Sequence, residues 1–336
     1  MQHDTLAPSH CLEDVFGCGE ETNTVFSISE TVQLAAKVWG VDKGYNRVLC
    51  LHGWMDNSAT WSTLAPLLKK DGLYLVCLDL LGHGLSSHAS AAVAYTAVNY
   101  IPDIMAVVDQ LGWDKFSILG HSLGAIITTF ITAIFPQRVK RCVLVEGLAP
   151  RTTTSALVLE VLRDAVMQNK TLLGKKPKIY PSLAHAIRAR HGGPDAVFPV
   201  SEQSARLLVL RGAKFVTSHD SDEVKRDEIQ FIHDPSLRSS SLQRFTPEQI
   251  KVFLNHIECP VLLLVAEKGI PAWTENNPKE KAQFKEYTQC IKHLTEVFIP
   301  GQAHHVHVDA PETVYPHVSP FLLAGCDEQQ TTSARL

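Results

Sequence analysis

The sequence predicts an α/β architecture: a doubly wound, mostly parallel sheet flanked by helices and interrupted by one inserted helical lid. Three observations carry this. From Val48 to Val145, short apolar runs alternate with helical segments, the pattern of parallel strands joined by crossover helices. The alternation stops over residues 148–245 and resumes at Thr246. Finally, Gly120-His121-Ser122-Leu123-Gly124 lies between an apolar run, Phe116 to Leu119, and a helical one, Ala125 to Phe135. That context places a serine on a tight strand–turn–helix connection.

Residues 1–22 read as a loose arm. Thr24 to Ser29 and Val32 to Trp39 alternate apolar and polar side chains, as an antiparallel hairpin does. Val48 to Leu51 and Tyr74 to Leu78 are continuous apolar runs, expected of strands buried on both faces, with a helix over Ser58 to Leu68 between them. Tyr100 to Leu111 carries Ile101, Ile104, Val107, Val108 and Leu111 at helical spacing. Phe116 to Leu119 and Cys142 to Val145 are further strands. The insertion, 148–245, reads as mostly helical and polar, with breaks at Gly192-Gly193-Pro194 and Asp234-Pro235. Thr246-Pro247-Glu248-Gln249 then opens a helix with an N-cap threonine, a first-turn proline and a capping-box glutamine. A strand over Val261 to Val265, a helix over Pro278 to His293, a strand over Glu296 to Ile299 and a helix over Pro311 to Leu323 complete the pattern. The core is therefore 23–147 together with 246–324, and a polar tail, 325–336, follows it.

A chain of 336 residues, 45% hydrophobic and 20% charged, buries a core without disulfide or metal support. A net charge of −4 argues against nucleic acid or an anionic membrane as the main partner. No run approaches the ~20 apolar residues of a membrane span, and Met1 to Glu21 lacks the apolar stretch of a secretory signal. The eight cysteines are accordingly expected to be reduced. Cys50, Cys77 and Cys142 fall inside strands as small buried hydrophobes, and no C-x-x-C pair occurs. The last residues, Ala334-Arg335-Leu336, resemble the small–basic–leucine peroxisomal address that an import receptor reads. The expected location is peroxisomal, cytoplasmic, or both.

A serine hydroxyl is a poor nucleophile until a base takes its proton and an acid orients that base. The chain order for such an elbow is serine, acid, histidine. After the strand ending at Ile299 stands Pro300-Gly301-Gln302-Ala303-His304-His305-Val306-His307, which offers His304, His305 and His307. Read as a metal set, H-H-x-H lacks a neighbouring carboxylate or cysteine. For the acid, Glu146 follows the strand ending at Val145, and Glu267 stands in Ala266-Glu267-Lys268-Gly269-Ile270. A developing oxyanion needs two backbone N–H donors. These are expected from Leu123, after the serine, and from Trp54 in His52-Gly53-Trp54-Met55-Asp56-Asn57. Asp79-Leu80-Leu81-Gly82-His83-Gly84 reads as a structural turn in which Asp79 binds backbone. His83 and His88 precede the serine and are poor candidates for the base.

These residues resemble the α/β-hydrolase superfamily, and within it the serine hydrolase-like group that includes the insect Kraken-type probable serine hydrolases. The resemblance runs through Leu51 to Asn57, Leu81 to Ser87, the Gly120 to Gly124 elbow, Val145-Glu146-Gly147, Gln230 to Pro235 and the His304 loop. It implies an α/β-hydrolase fold and a serine hydrolase without cofactor; a small-molecule ester or thioester is the substrate expected from the peroxisomal address. Many members place an aspartate where this chain has Gly269, so the resemblance makes Glu146 the preferred acid and Glu267 the alternative. The seven-residue interval from His304 to Pro311 matches the final loop of lidded members and favours His304 as base. The expected triad is Ser122, His304 and Glu146. The alternative is a non-catalytic, ligand-binding protein of the same fold.

Overall fold

The computed structural model describes residues 12, 21–90, 94–172, 177–192, 198–217, 224–275 and 277–324. The C-terminal tripeptide and most of the N-terminal arm lie outside the described residues. Strands β1 (Thr22–Ser27) and β2 (Gln33–Trp39) form the predicted antiparallel hairpin. Then come β3 (Arg47–Leu51), β4 (Tyr74–Leu78), β5 (Phe116–His121), β6 (Val139–Val145), β10 (Val261–Lys268) and β11 (Leu294–Ala303). The sheet order is β1-β2-β4-β3-β5-β6-β10-β11. β2 runs antiparallel to β4, and every pairing from β4 to β11 is parallel.

Alternate residues of one strand enter opposite cores. Leu49, Leu51, Ile118, Leu144 and Leu263 pack with α2 (Ile101–Gln110), α3 (Leu123–Ile134) and α7 (Pro247–Asn255). Val48, Cys50, Leu119, Val143 and Leu264 pack with α1 (Ala65–Lys70) and α11 (Pro311–Leu323). This two-sided burial explains why the central strands read as unbroken apolar runs. The Thr246 capping box forms as expected.

Outside the inserted stretch, several elements depart from the sequence expectation. The helix expected over Ser58 to Leu68 is a 3-10 turn, Ser58–Trp61, followed by α1. Pro66 in the first turn of α1 has no N–H for a continuous helix, and the Asn57 side chain caps the 3-10 turn by accepting from Ala59 N–H. β11 runs on through Pro300 and Gly301 to Ala303. It is an edge strand, where a missing N–H breaks no ladder. A short helix, α8 (Ile270–Thr274), follows β10, α9 (Pro278–Gln289) ends before His293, and another short helix, α10 (Val306–Asp309), follows β11.

The stretch expected to be a mostly helical lid holds α4 (Val158–Leu172), α5 (Leu183–Gly192) and α6 (Glu202–Gly212), but also a second sheet. This sheet is antiparallel, in the order β7 (Ile179–Tyr180), β9 (Val224–Phe231), β8 (Ala213–Thr217). Tyr180, Phe215 and Ile229 close a small core with Leu12, Ile187 and Leu208. That burial decides for strands in polar sequence with weak alternation. A bridge between Thr152 and Phe245 brings the ends of this stretch together.

Candidate active site

Ser122 joins β5 to α3 with φ +52° and ψ −113°, a left-handed conformation that costs an L-residue about 1–3 kcal/mol. Its flanking glycines are required by space. A Cβ on Gly120 would stand 2.5 Å from Thr128 Oγ1, and one on Gly124 would stand 2.7 Å from the His52 carbonyl oxygen. Ser122 N–H donates to the Val145 carbonyl at 2.9 Å, which ties the elbow to the strand that Glu146 follows. Leu123 is the first residue of α3, so its N–H has no acceptor within the helix. The Gly53–Trp54 backbone lies against this turn. A Cβ on Gly53 would come within 2.9 Å of His121 Nδ1 and 3.2 Å of Ser122 Cβ.

Glu146, also at φ +52°, turns its carboxylate into the sheet end rather than toward solvent, and is 1% exposed. Its Oε1 accepts from Ala266 N–H at 2.6 Å, and its Oε2 accepts from Ile270 N–H at 3.0 Å. The same Oε2 accepts from His304 Nδ1 at 3.1 Å. Gly269 is the neighbour that makes room: a Cβ there would overlap Glu146 Oε2. The alternative acid, Glu267, is exposed and accepts from Gly301 N–H at 2.6 Å. Side chains alternate along a strand, and Ala266, not Glu267, is the buried one of the pair. The structure thus joins Glu146, not Glu267, to His304.

His304 follows β11, and its backbone is fastened to the elbow. His121 Nε2–H donates to the His304 carbonyl at 3.0 Å, and the two rings lie 4.7 Å apart. Phe198, on the segment between α5 and α6, sets its ring 4.4 Å from that of His304 and tilted by 48°, so the inserted segment covers the histidine. His307 is buried and bonded through Nε2 to Thr60 Oγ1 at 2.7 Å, a packing role. His305 turns to a different carboxylate: its Nε2 lies 3.6 Å from Asp56 Oδ2 and 3.2 Å from Arg190 Nη2. Arg190, on α5, also donates to Asp56 Oδ1 at 3.3 Å. Burial opposes ionisation of Asp56, but His305 and Arg190 outweigh it and hold the carboxyl well below its usual range. Burial pushes His305 below, and His121 well below, the ordinary histidine range.

The loops beneath are clamped by buried polar groups. Leu80 N–H donates to His52 Nε2 at 2.9 Å, so His52 Nδ1–H donates to the Gly53 carbonyl at 2.7 Å. Asp79 binds backbone as expected, accepting from Ser58 N–H at 2.7 Å and Leu85 N–H at 2.9 Å. It also pairs with Arg211 Nε at 3.0 Å, both side chains being fully buried. No local pattern pairs Arg211 with Asp79, or Arg190 and His305 with Asp56, because each pair meets only across the fold.

Comparison with known proteins follows the same lines. A family model described as alpha/beta hydrolase fold matches residues 46–311. A serine hydrolase-like protein of Danio rerio is 31% identical over 86% of this chain and 85% of its own length. A probable serine hydrolase of Drosophila melanogaster is 30% identical over 90% of this chain and 89% of its own. Among solved structures, a hypothetical protein of Pseudomonas aeruginosa superposes with a TM-score of 0.75 at 31% identity, covering 91% of this chain and 99% of that one. A strained serine between two space-limited glycines, a mostly parallel sheet in this order and relatives matched over most of their length lead to one assignment: the chain belongs to the α/β-hydrolase family, in its serine hydrolase-like group.

Proposed function

We propose that the chain is a serine hydrolase that cleaves an ester or thioester through a Ser122–His304–Glu146 triad and an acyl-enzyme. The observation that carries the reading is the hydrogen bond from His304 Nδ1 to the buried Glu146 carboxylate, beside a strained serine. Glu146 fixes the imidazole with its proton on Nδ1, which makes Nε2 the base. His304 takes the Ser122 proton as Oγ attacks the carbonyl carbon, and the N–H groups of Trp54 and Leu123 hold the tetrahedral oxyanion. Collapse expels the alcohol or thiol, which leaves with the proton from His304. Water, deprotonated by the same histidine, then releases the acid and restores Ser122. The ligand-binding alternative rested on the missing aspartate at Gly269, and the Glu146 carboxylate in that space favours turnover instead.

A fluorophosphonate probe tests the reading on wild type, Ser122→Ala and Glu146→Gln. Wild type should label and Ser122→Ala should not. Glu146→Gln should turn over a model ester about ten-thousandfold more slowly, the usual cost of the triad acid. A folded wild type that stays unlabelled and splits no member of an ester and thioester panel would overturn it. For location, the reading remains the Ala334-Arg335-Leu336 address. A fusion lacking these residues should lose peroxisomal targeting that the full chain confers.

A further inference from the structure

Three buried ligand atoms beside the candidate site are left without hydrogen bonds or stand close to one another. Asp56 Oδ2 and His121 Nδ1 make no hydrogen bond among the described residues. His305 Nε2, which faces Asp56 Oδ2 at 3.6 Å, meets only the Arg190 guanidinium among them at hydrogen-bonding distance. One ligand atom from each of Asp56, His121 and His305 lies within 4.8 Å of the other two, and all three residues are buried. We propose that Asp56, His121 and His305 form a binding site for one divalent transition-metal ion of the zinc type, with Arg190 as the competing cation.

The donor set fits this chemistry. Two imidazoles and a carboxylate select zinc-like ions over calcium or magnesium, and leave a fourth position for water. Metal–ligand bonds of about 2.1 Å in a tetrahedron put ligand atoms about 3.4 Å apart. The Asp56–His305 separation of 3.6 Å is already near that value, and a ligand atom of His121 lies within 4.8 Å of one from each of the other two residues. The tautomers also fit. His121 Nε2 faces the His304 carbonyl, an acceptor, at 3.0 Å, so its proton is there and the lone pair is on Nδ1. A ligating histidine whose other nitrogen donates to a backbone carbonyl is the usual outer-shell arrangement of metal sites. Arg190 donates to His305 Nε2, so the lone pair there faces the guanidinium and an ion takes it only by displacing Arg190.

Arg190 is the charge that now satisfies Asp56, so a dication and the guanidinium exclude each other. Sequence spacing gave the H-H-x-H run no carboxylate; the fold brings Asp56 to it from 249 positions away, the interval from 56 to 305. Occupation has a consequence that rests on the proposed hydrolase reading. The ligating rings lie 4.7 Å and 5.2 Å from the ring of His304. A dication there raises the free energy of the imidazolium that His304 must become during acylation. The bound ion is therefore an inhibitor of the neighbouring serine.

Equilibrium dialysis of the full chain against Zn2+, done on Ser122→Ala so that catalysis plays no part, measures stoichiometry and affinity. One ion per chain is expected. His305→Gln should weaken binding at least about tenfold, more than the loss of an outer-shell partner usually does at its lower limit, and Arg190→Met should strengthen it. Wild-type ester hydrolysis should fall as the site fills and return with a chelator. Absence of binding overturns the site, as does binding that neither substitution changes. Should His305→Gln fail to fold by circular dichroism, the stoichiometry and the sign of the Arg190→Met effect decide alone. Failure here leaves labelling of Ser122 untouched, and an unlabelled serine leaves the zinc titration untouched.

Discussion

Glu146 occupies the volume that a side chain at position 269 would need: a Cβ on Gly269 would overlap the Glu146 carboxylate. The two positions, one after β6 and one after β10, are complementary in size. A carboxylate from the β6 end reaches His304 because residue 269 has none to put there. Gly269→Ala should therefore push Glu146 away from His304 and lower kcat toward that of a triad without its acid, by up to about ten-thousandfold. Glu146→Ala combined with Gly269→Asp should recover part of the activity lost in Glu146→Ala alone, a positive coupling in the double-mutant cycle. Ester hydrolysis by Glu146→Ala, Gly269→Asp and the double variant checks this, and additive losses would refute it.

In the proposed mechanism the loop after β3 supplies a backbone N–H to the oxyanion, not a side chain. A Cβ on Gly53 would press on His121 Nδ1 at 2.9 Å and Ser122 Cβ at 3.2 Å, while the Trp54 side chain is 37% exposed. Gly53→Ala is expected to cost about a hundred- to a thousandfold in kcat, the usual worth of one oxyanion donor. Trp54→Ala should act mainly on KM. Steady-state kinetics on both variants separates the two effects.

The Arg211–Asp79 pair carries stability rather than chemistry. Both side chains are fully buried, and Asp79 also holds the Ser58 and Leu85 N–H groups. Removing one partner of such a pair strands the other charge, at about 3–5 kcal/mol. Arg211→Met should lower the unfolding free energy by about that amount in chemical denaturation. A change below about 1 kcal/mol would show that Asp79 needs no counter-ion there.

Acid should destabilise the fold as the pH falls below the ordinary histidine range. Burial pushes the buried histidines His52, His83, His121, His305 and His307 below 6.5. The unfolded chain binds protons below 6.5 that the folded chain refuses, so stability is intact above 6.5 and falls as pH drops below it. Each group contributes at most about 1.4 kcal/mol per pH unit. Thermal unfolding between about pH 7.5 and about pH 5.5 should show a falling Tm. His307→Gln, which keeps a partner for Thr60, should flatten the slope, and a Tm independent of pH would contradict this account.

Much of this was legible in residue order because it is local physics. The elbow depends on two glycines two positions either side of a serine, and a steric requirement of that range is written into neighbouring letters. The central strands were legible because burial on both faces leaves them no polar position. The second sheet was not, since β9 is polar in sequence and earns its strand only by pairing with β7 and β8. The length of β11 was hidden by Pro300, whose missing N–H matters only if the strand has neighbours on both sides.

The sequence by itself determined the parallel α/β sheet, the serine turn, the histidine loop and two carboxylates from which an acid had to come. Only the tertiary structure shows which of the two meets His304. Glu146 and Glu267 each follow a strand and differ in the direction of one side chain: positive φ turns Glu146 inward to His304, while strand alternation turns Glu267 outward to Gly301. The same holds for Asp56, His121 and His305, whose approach within 4.8 Å is made by three different strand ends. Direction and distance between remote residues belong to packing, and packing is read only from the folded chain.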